Sequence, residues 1–129
     1  MIYNALNFLV LITMPHLILE LSNNIDSQHL NQLFDKLHQM LAEKLPTQLS
    51  NCRSRCVVHP LFYIGDQSPA NAFVHLTLKM LPGRDDAKKK SIGKELFDLL
   101  DNFFRTGQNE LNIMLSVEVL DLDNHYFKG

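Results

Sequence analysis

The apolar positions of this chain change period several times, and each change marks an element. His16-Leu17-Ile18-Leu19-Glu20-Leu21 is a short apolar run closed by Ser22-Asn23-Asn24, which predicts a buried strand and a turn. Between Asp26 and about Lys44, the apolar residues Leu30, Leu33, Phe34, Leu37, Met40 and Leu41 recur at three- and four-residue intervals. That spacing draws one stripe along a helix, and Pro46 is placed to stop it. A second strand is predicted from Cys52 to Ile64, ahead of the loop signals Gly65-Asp66 and Ser68-Pro69.

The same plan then repeats. Ala72 to Leu81 predicts a third strand, punctuated by Pro82-Gly83. Ile92, Leu96, Leu99, Leu100 and Phe103 form a second helical stripe, and Gly107 ends that region. Ile113, Leu115, Val117 and Val119 alternate with Met114, Ser116 and Glu118, so a fourth strand carries one apolar face. The first strand His16–Leu21 aligns with His75–Met80, an offset of 59 from position 16 to 75. Leu33-Phe34-Asp35-Lys36-Leu37 aligns with Leu96-Phe97-Asp98-Leu99-Leu100, an offset of 63 from position 33 to 96. Two ordered matches predict two βαβ halves, about 15–66 and 72–121, in a single domain covering 15–129.

Right-handed crossovers within each half give parallel strand pairs. The predicted class is α/β (α+β), a four-stranded sheet with two helices on one face. The opposite face is expected to be apolar and bare, which calls for cover by a symmetric homo-oligomer.

Composition removes several function classes. A length of 129 residues suits one domain with a real core. A formal charge of -2 offers no footprint for nucleic acid. The one basic run, Lys88-Lys89-Lys90, follows Asp85 and Asp86 and reads as a solvated helix start. Cys52 and Cys56, on one strand, stand roughly 13 Å apart, beyond disulfide reach. They read as two buried or half-buried thiols in a reducing cytoplasm. His29, His38 and His125 show no metal-ligand spacing with acidic or thiol partners, His59 is uninformative, and no metal or cofactor is expected.

Residues 1–14 are apolar but too short to span a membrane, and they lack the positive start and small-residue cleavage site of a secretory signal. Met14-Pro15 suggests instead a working start at Met14, with 1–14 an extension that is absent from the mature chain.

Met14-Pro15-His16-Leu17-Ile18-Leu19-Glu20 resembles the start of a tautomerase-superfamily member, where loss of the initiator methionine exposes proline. Cys52-Arg53-Ser54-Arg55-Cys56-Val57, Ala72-Phe73-Val74-His75-Leu76-Thr77-Leu78-Lys79, and Gly83-Arg84 followed by Glu95-Leu96-Phe97 are similar to 5-carboxymethyl-2-hydroxymuconate isomerases in particular. The resemblance runs in family order from Pro15 to about Val119. It implies a cytoplasmic, trimeric isomerase of aromatic-acid catabolism that acts on a small-molecule carboxylate without a cofactor. Pro15 takes the role of catalytic base, and Arg53 and Arg84 the substrate-binding positions.

The chemistry of these residues suits those roles. An internal proline nitrogen is an amide, whereas an N-terminal proline is a secondary amine that accepts a proton. An α-amino group titrates at about 7.7–8.0, and burial or nearby cations lower that value toward a base poised for enol–keto exchange. Guanidinium groups hold carboxylates in a two-pronged fork and steady developing oxyanions. Arg55 shares a strand face with Arg53 and reads as a surface arginine. His16 and His75 occupy equivalent repeat positions, and packing accounts for both. The repeat counterpart of Pro15 is Val74, which lies inside the chain, so one site per chain is expected.

Two features depart from the family pattern. The segment Phe62 to Asn71 is shorter than the family's loop, which leaves substrate preference open. The extension, if retained, acylates the nitrogen of Pro15. A non-catalytic oligomeric binding protein of the same fold is then the alternative, with Phe8 to Ile12 packed into the pocket.

Overall fold

The computed structural model describes residues 13–45, 47–106 and 110–128. In chain order the elements are β1 (His16–Ser22), α1 (Leu30–Lys44), a 3-10 turn (Leu49–Asn51), β2 (Arg53–His59), β3 (Asn71–Met80), α2 (Asp86–Arg105) and β4 (Asn112–Asp121). The strands form one sheet in the order β2-β1-β3-β4. Each outer strand lies parallel to its inner neighbour, and β1 and β3 meet antiparallel at the centre. Two βαβ units therefore join edge to edge, as the repeat predicts. The earlier part of the extension (1–12), Pro46 and Gly107 lie outside the described residues.

The register carries the sequence repeat into space. Ile18 pairs with Thr77, its own counterpart at an offset of 59, so the local two-fold axis passes between them. On the outer strands Arg53 pairs with His16, and Ser116 pairs with His75. Arg53 and Ser116 are 63 positions apart, the offset that also relates the two helices.

Leu17, Leu19 and Leu21 of β1 and Val74, Leu76 and Leu78 of β3 turn toward the helices and are fully buried. They meet Leu33, Leu37 and Leu41 of α1 and Ile92, Leu96, Leu100 and Phe104 of α2. Each helix thus buries a four-residue-spaced stripe, as helical periodicity requires. Phe104 belongs to that stripe alongside the expected residues, while Leu99 and Phe103 flank it half-buried.

Several boundaries and one face differ from expectation: β2 starts at Arg53 rather than Cys52, and β3 runs Asn71–Met80 rather than Ala72–Leu81. The first helix begins at Leu30 rather than Asp26, because the Asp26 carboxylate accepts from the Gln28 N–H at 3.0 Å and holds a turn there. β2 ends at His59 rather than Ile64, because Pro60 has no N–H to continue the ladder. β4 runs two residues past Val119, to Asp121. The sheet face away from the helices is mixed rather than apolar: it carries His16, Glu20, Arg53, Arg55, His75 and Lys79 beside Ile18 and Phe73. Strand alternation places every second residue there, and those positions are largely polar.

The basic run is a solvated helix start, as read. The Asp85 carboxylate caps α2 by accepting from the Lys88 N–H at 2.8 Å, and Lys89 pairs with Asp121 at 3.0 Å.

Among the described residues the regular elements and the clustered core lie within 16–121, so a chain beginning at Pro15 keeps them and loses only the buried Thr13 and Met14. Leu96→Ala is expected to lower the unfolding free energy by about 2–5 kcal/mol in urea titrations. Leu61→Ala, at a side chain 90% exposed, should stay within about 0.5 kcal/mol of the parent.

Candidate active site

The three residues expected to form the site gather around the start of β1. Pro15 is buried, and its carbonyl accepts from the Arg53 N–H at 3.1 Å, which aligns the first residues of the parallel pair β1 and β2. The Arg53 side chain is exposed on the helix-free face. Arg84 follows β3 through Gly83, whose φ of 132° lies where glycine is favoured. This turn carries the Arg84 guanidinium back to the segment before β1, where Nη2 donates to the Thr13 hydroxyl.

The other Arg84 nitrogen, Nη1, is buried without a hydrogen-bond partner among the described residues. Burial also shifts Arg84 toward a lower pKa, against the charged form, although a guanidinium stays charged at neutral pH. The result is a half-sheltered cation with one donor unspent, suited to an oxyanion or carboxylate.

His16 stands beside this cluster on the helix-free face. Its Nε2 lies 3.0 Å from the Tyr126 hydroxyl, and the rings meet edge to face at 5.7 Å. Burial is the main cause that lowers the His16 pKa, and Arg53, Arg55 and Lys79 add to it. Tyr126 reaches the site from the tail after β4, and no periodic signal in the sequence marks it. The counterpart of His16, His75, is differently placed: its ring lies 2.7 Å from the Ser116 hydroxyl and 3.3 Å from the Glu118 carboxylate.

At one pair of equivalent positions, Arg55 and Glu118, the two halves thus carry opposite charge. Arg53 and Arg55 correspond to Ser116 and Glu118 by the 63-residue offset. Neither Arg53, Arg55 nor Lys79 has an ion-pair partner among the described residues.

A cleft of about 490 Å³ lies elsewhere, between the start of α1 and the end of α2, lined by Asp26, His29, Gln32, Lys36, Phe103 and Thr106. It includes none of the three expected residues. Cys52 is buried and Cys56 half-buried; both thiols are free, and burial raises both pKa values. No group of three or more His, Cys, Asp or Glu side chains able to hold a metal occurs among the described residues. No helix among them is long and apolar enough to cross a membrane.

The model of the family "5-carboxymethyl-2-hydroxymuconate isomerase" matches residues 15–128. The chain belongs to this family. The 5-carboxymethyl-2-hydroxymuconate Delta-isomerase of Escherichia coli is 33% identical over 110 residues, 84% of this chain and 87% of the relative. A solved 5-carboxymethyl-2-hydroxymuconate isomerase from Deinococcus radiodurans R1 superposes with a TM-score of 0.84 at 30% identity, over 94% of this chain and 92% of that one. A fused 4-OT protein described as an asymmetric trimer shares the fold alone: its TM-score is 0.67 at 16% identity, over 88% of this chain and 90% of that one. The tautomerase-like fold and the isomerase class are thereby established.

The charge surrounding His16 has a measurable consequence. A folded pKa below the ordinary imidazole value of about 6.5 means the unfolded chain binds the extra proton first. Stability from this group is therefore present above pH 6.5 or so and is lost as pH falls toward the folded value. In an NMR titration, His16 should show a midpoint below that of a free imidazole, and Arg55→Ala should move it upward. An unmoved midpoint would remove Arg55 from the cluster.

Proposed function

We propose that the chain, with Pro15 as its N-terminus, is a cofactor-independent tautomerase that moves a proton on an unsaturated 2-hydroxy or 2-oxo di- or tricarboxylate. The names of its relatives point to 5-carboxymethyl-2-hydroxymuconate, an intermediate of aromatic-acid breakdown, handled in the cytoplasm. One observation carries the reading: the family match begins at Pro15, where Arg53 bonds its carbonyl and Arg84 reaches the residue two places before it.

The chemistry needs one proton removed and one returned. The secondary amine of Pro15, at a buried position before β1, has its charged form disfavoured by desolvation and so suits a base. It takes a proton from the dienol hydroxyl or from carbon beside a carbonyl, and delivers it to another carbon of the conjugated chain. Bond orders shift along that chain, and no electrons enter or leave. Arg84, with its unspent donor, holds a substrate carboxylate; Arg53 steadies the dienolate oxygen, whose charge peaks in the transition state.

A head-to-tail trimer is part of the same proposal. β2 and β4 are both edge strands, and unpaired edges call for cover. Arg55 on one edge and Glu118 on the other stand at equivalent positions, beside the exposed apolar residues Val57 and Leu120, which are also equivalent. Joining like edges sets arginine against arginine, whereas joining β2 of one copy to β4 of the next sets arginine against glutamate. Contacts of the second kind close into a ring when the rotation between successive copies is one third of a turn.

In a chain beginning at Pro15, ultraviolet assays should show isomerisation. Pro15→Ala should lower kcat/KM by about 100-fold or more, and Arg53→Ala, which removes the oxyanion partner, by about 100- to 1000-fold. A Pro15→Ala chain of undiminished activity would refute the assignment of the base. By sedimentation, Arg55→Glu and Glu118→Arg should each weaken assembly, and the double exchange should restore it. Failure of the exchange to restore it would exclude this pairing of edges.

A further inference from the structure

We infer that Thr13 and Met14, the two residues before Pro15, form an autoinhibitory plug that occupies the carboxylate-binding guanidinium of Arg84. The inference rests on the reading of Arg84 as a substrate clamp.

Two hydrogen bonds and burial define the plug. The Thr13 hydroxyl accepts from Arg84 Nη2. The Thr13 carbonyl accepts from the Leu81 N–H at 3.0 Å, which fastens the segment to the end of β3. Both Thr13 and Met14 are buried, so the segment sits inside the protein rather than passing over it.

The plug matches its socket only in part. A carboxylate has two oxygens and can engage both terminal nitrogens of a guanidinium. A hydroxyl has one oxygen, and Arg84 Nη1 remains buried without a partner among the described residues. An unmet buried donor is unfavourable. Thr13 therefore stands where a substrate carboxylate would, while supplying half of its bonds.

The backbone adds a second mismatch. Met14 has a φ of 47°, in the left-handed region that non-glycine residues seldom enter. It also precedes a proline, which favours extended backbone in the residue before it. The segment is thus held in a strained form by Thr13, Leu81 and Arg84. Its retention blocks the site twice: the nitrogen of Pro15 is an amide, and Arg84 is occupied. Blocking of the base is a matter of bonding alone, whereas occupation of Arg84 is a matter of this structure.

Binding separates the two effects, since a chain that retains Met14 has no basic proline whatever Arg84 does. The probe is glutarate, a saturated dicarboxylate that cannot isomerise, titrated calorimetrically into three proteins. They are the full 129-residue chain, the same chain with Thr13→Ala, and a chain beginning at Pro15. Thr13→Ala should tighten glutarate binding about tenfold, the order expected for releasing one charge-assisted hydrogen bond. It should leave the full chain inactive as an isomerase. The chain beginning at Pro15 should bind at least as tightly as the Thr13→Ala variant.

Equal affinity in all three would overturn the plug, and activity of the Pro15 chain would still uphold the isomerase reading. Tight binding without activity in the Pro15 chain would keep the plug and remove Pro15 as base. Absence of binding even in the Pro15 chain would remove Arg84 as a carboxylate clamp, and the plug with it. Adding Arg84→Ala to Thr13→Ala should abolish the gain; a gain that survives would place the effect elsewhere and overturn the inference.

Discussion

The antiparallel pairing of β1 with β3 is the contact on which the rest of the molecule depends. It runs from His16↔Lys79 to Leu21↔Val74 and joins two βαβ units that each have only one parallel strand pair. Neither half alone offers a wide enough apolar sheet to cover its helix. Together, the leucines of β1 and the alternating apolar residues of β3 make a continuous floor under both helices. Hydrophobic burial is non-directional, so it is the strand register that turns this floor into a defined structure.

The same pairing sets the site. Because β1 lies between β2 and β3, the segment leading into it is approached from both sides: the Arg53 backbone N–H, at the start of the parallel neighbour, bonds Pro15, and Arg84, just past the end of the antiparallel one, bonds Thr13. A parallel strand begins where β1 begins and an antiparallel strand ends there, so two residues 31 positions apart, at 53 and 84, reach one end of the sheet. The two-fold plan does not repeat the candidate residues. The counterpart of Pro15 is Val74, inside the chain, and the counterparts of Arg53 and Arg55 are Ser116 and Glu118. Divergence at these few positions makes one half a cationic site and the other a neutral or acidic edge, while the buried leucines keep both halves alike.

Much of this was legible in the residues. The periodic stripes of α1 and α2, the four strands and the repeat follow from apolar spacing, since burial on one face imposes its period on the chain. The gathering of Pro15, Arg53 and Arg84 was legible through the family resemblance rather than through spacing, since nothing local links positions so far apart. What was not legible depends on single atoms or long separations. Pro60 ends β2 through one missing N–H, and the Asp26 carboxylate delays α1 through one side-chain bond. Tyr126 meets His16 across 110 positions. The polarity of the open sheet face lies in the alternation within the apolar runs, where His16, Glu20, His75 and Lys79 stand at every second position or at multiples of it.

By itself, the sequence determined the elements, the two-fold plan and the family, because periodicity and ordered motifs are properties of the chain. Only the tertiary structure decided that Thr13 occupies Arg84, that one guanidinium nitrogen goes without a partner, and that arginine and glutamate lie on opposite edges of one sheet. These facts depend on distances between residues remote in the chain, and such distances exist only once β1 and β3 have paired.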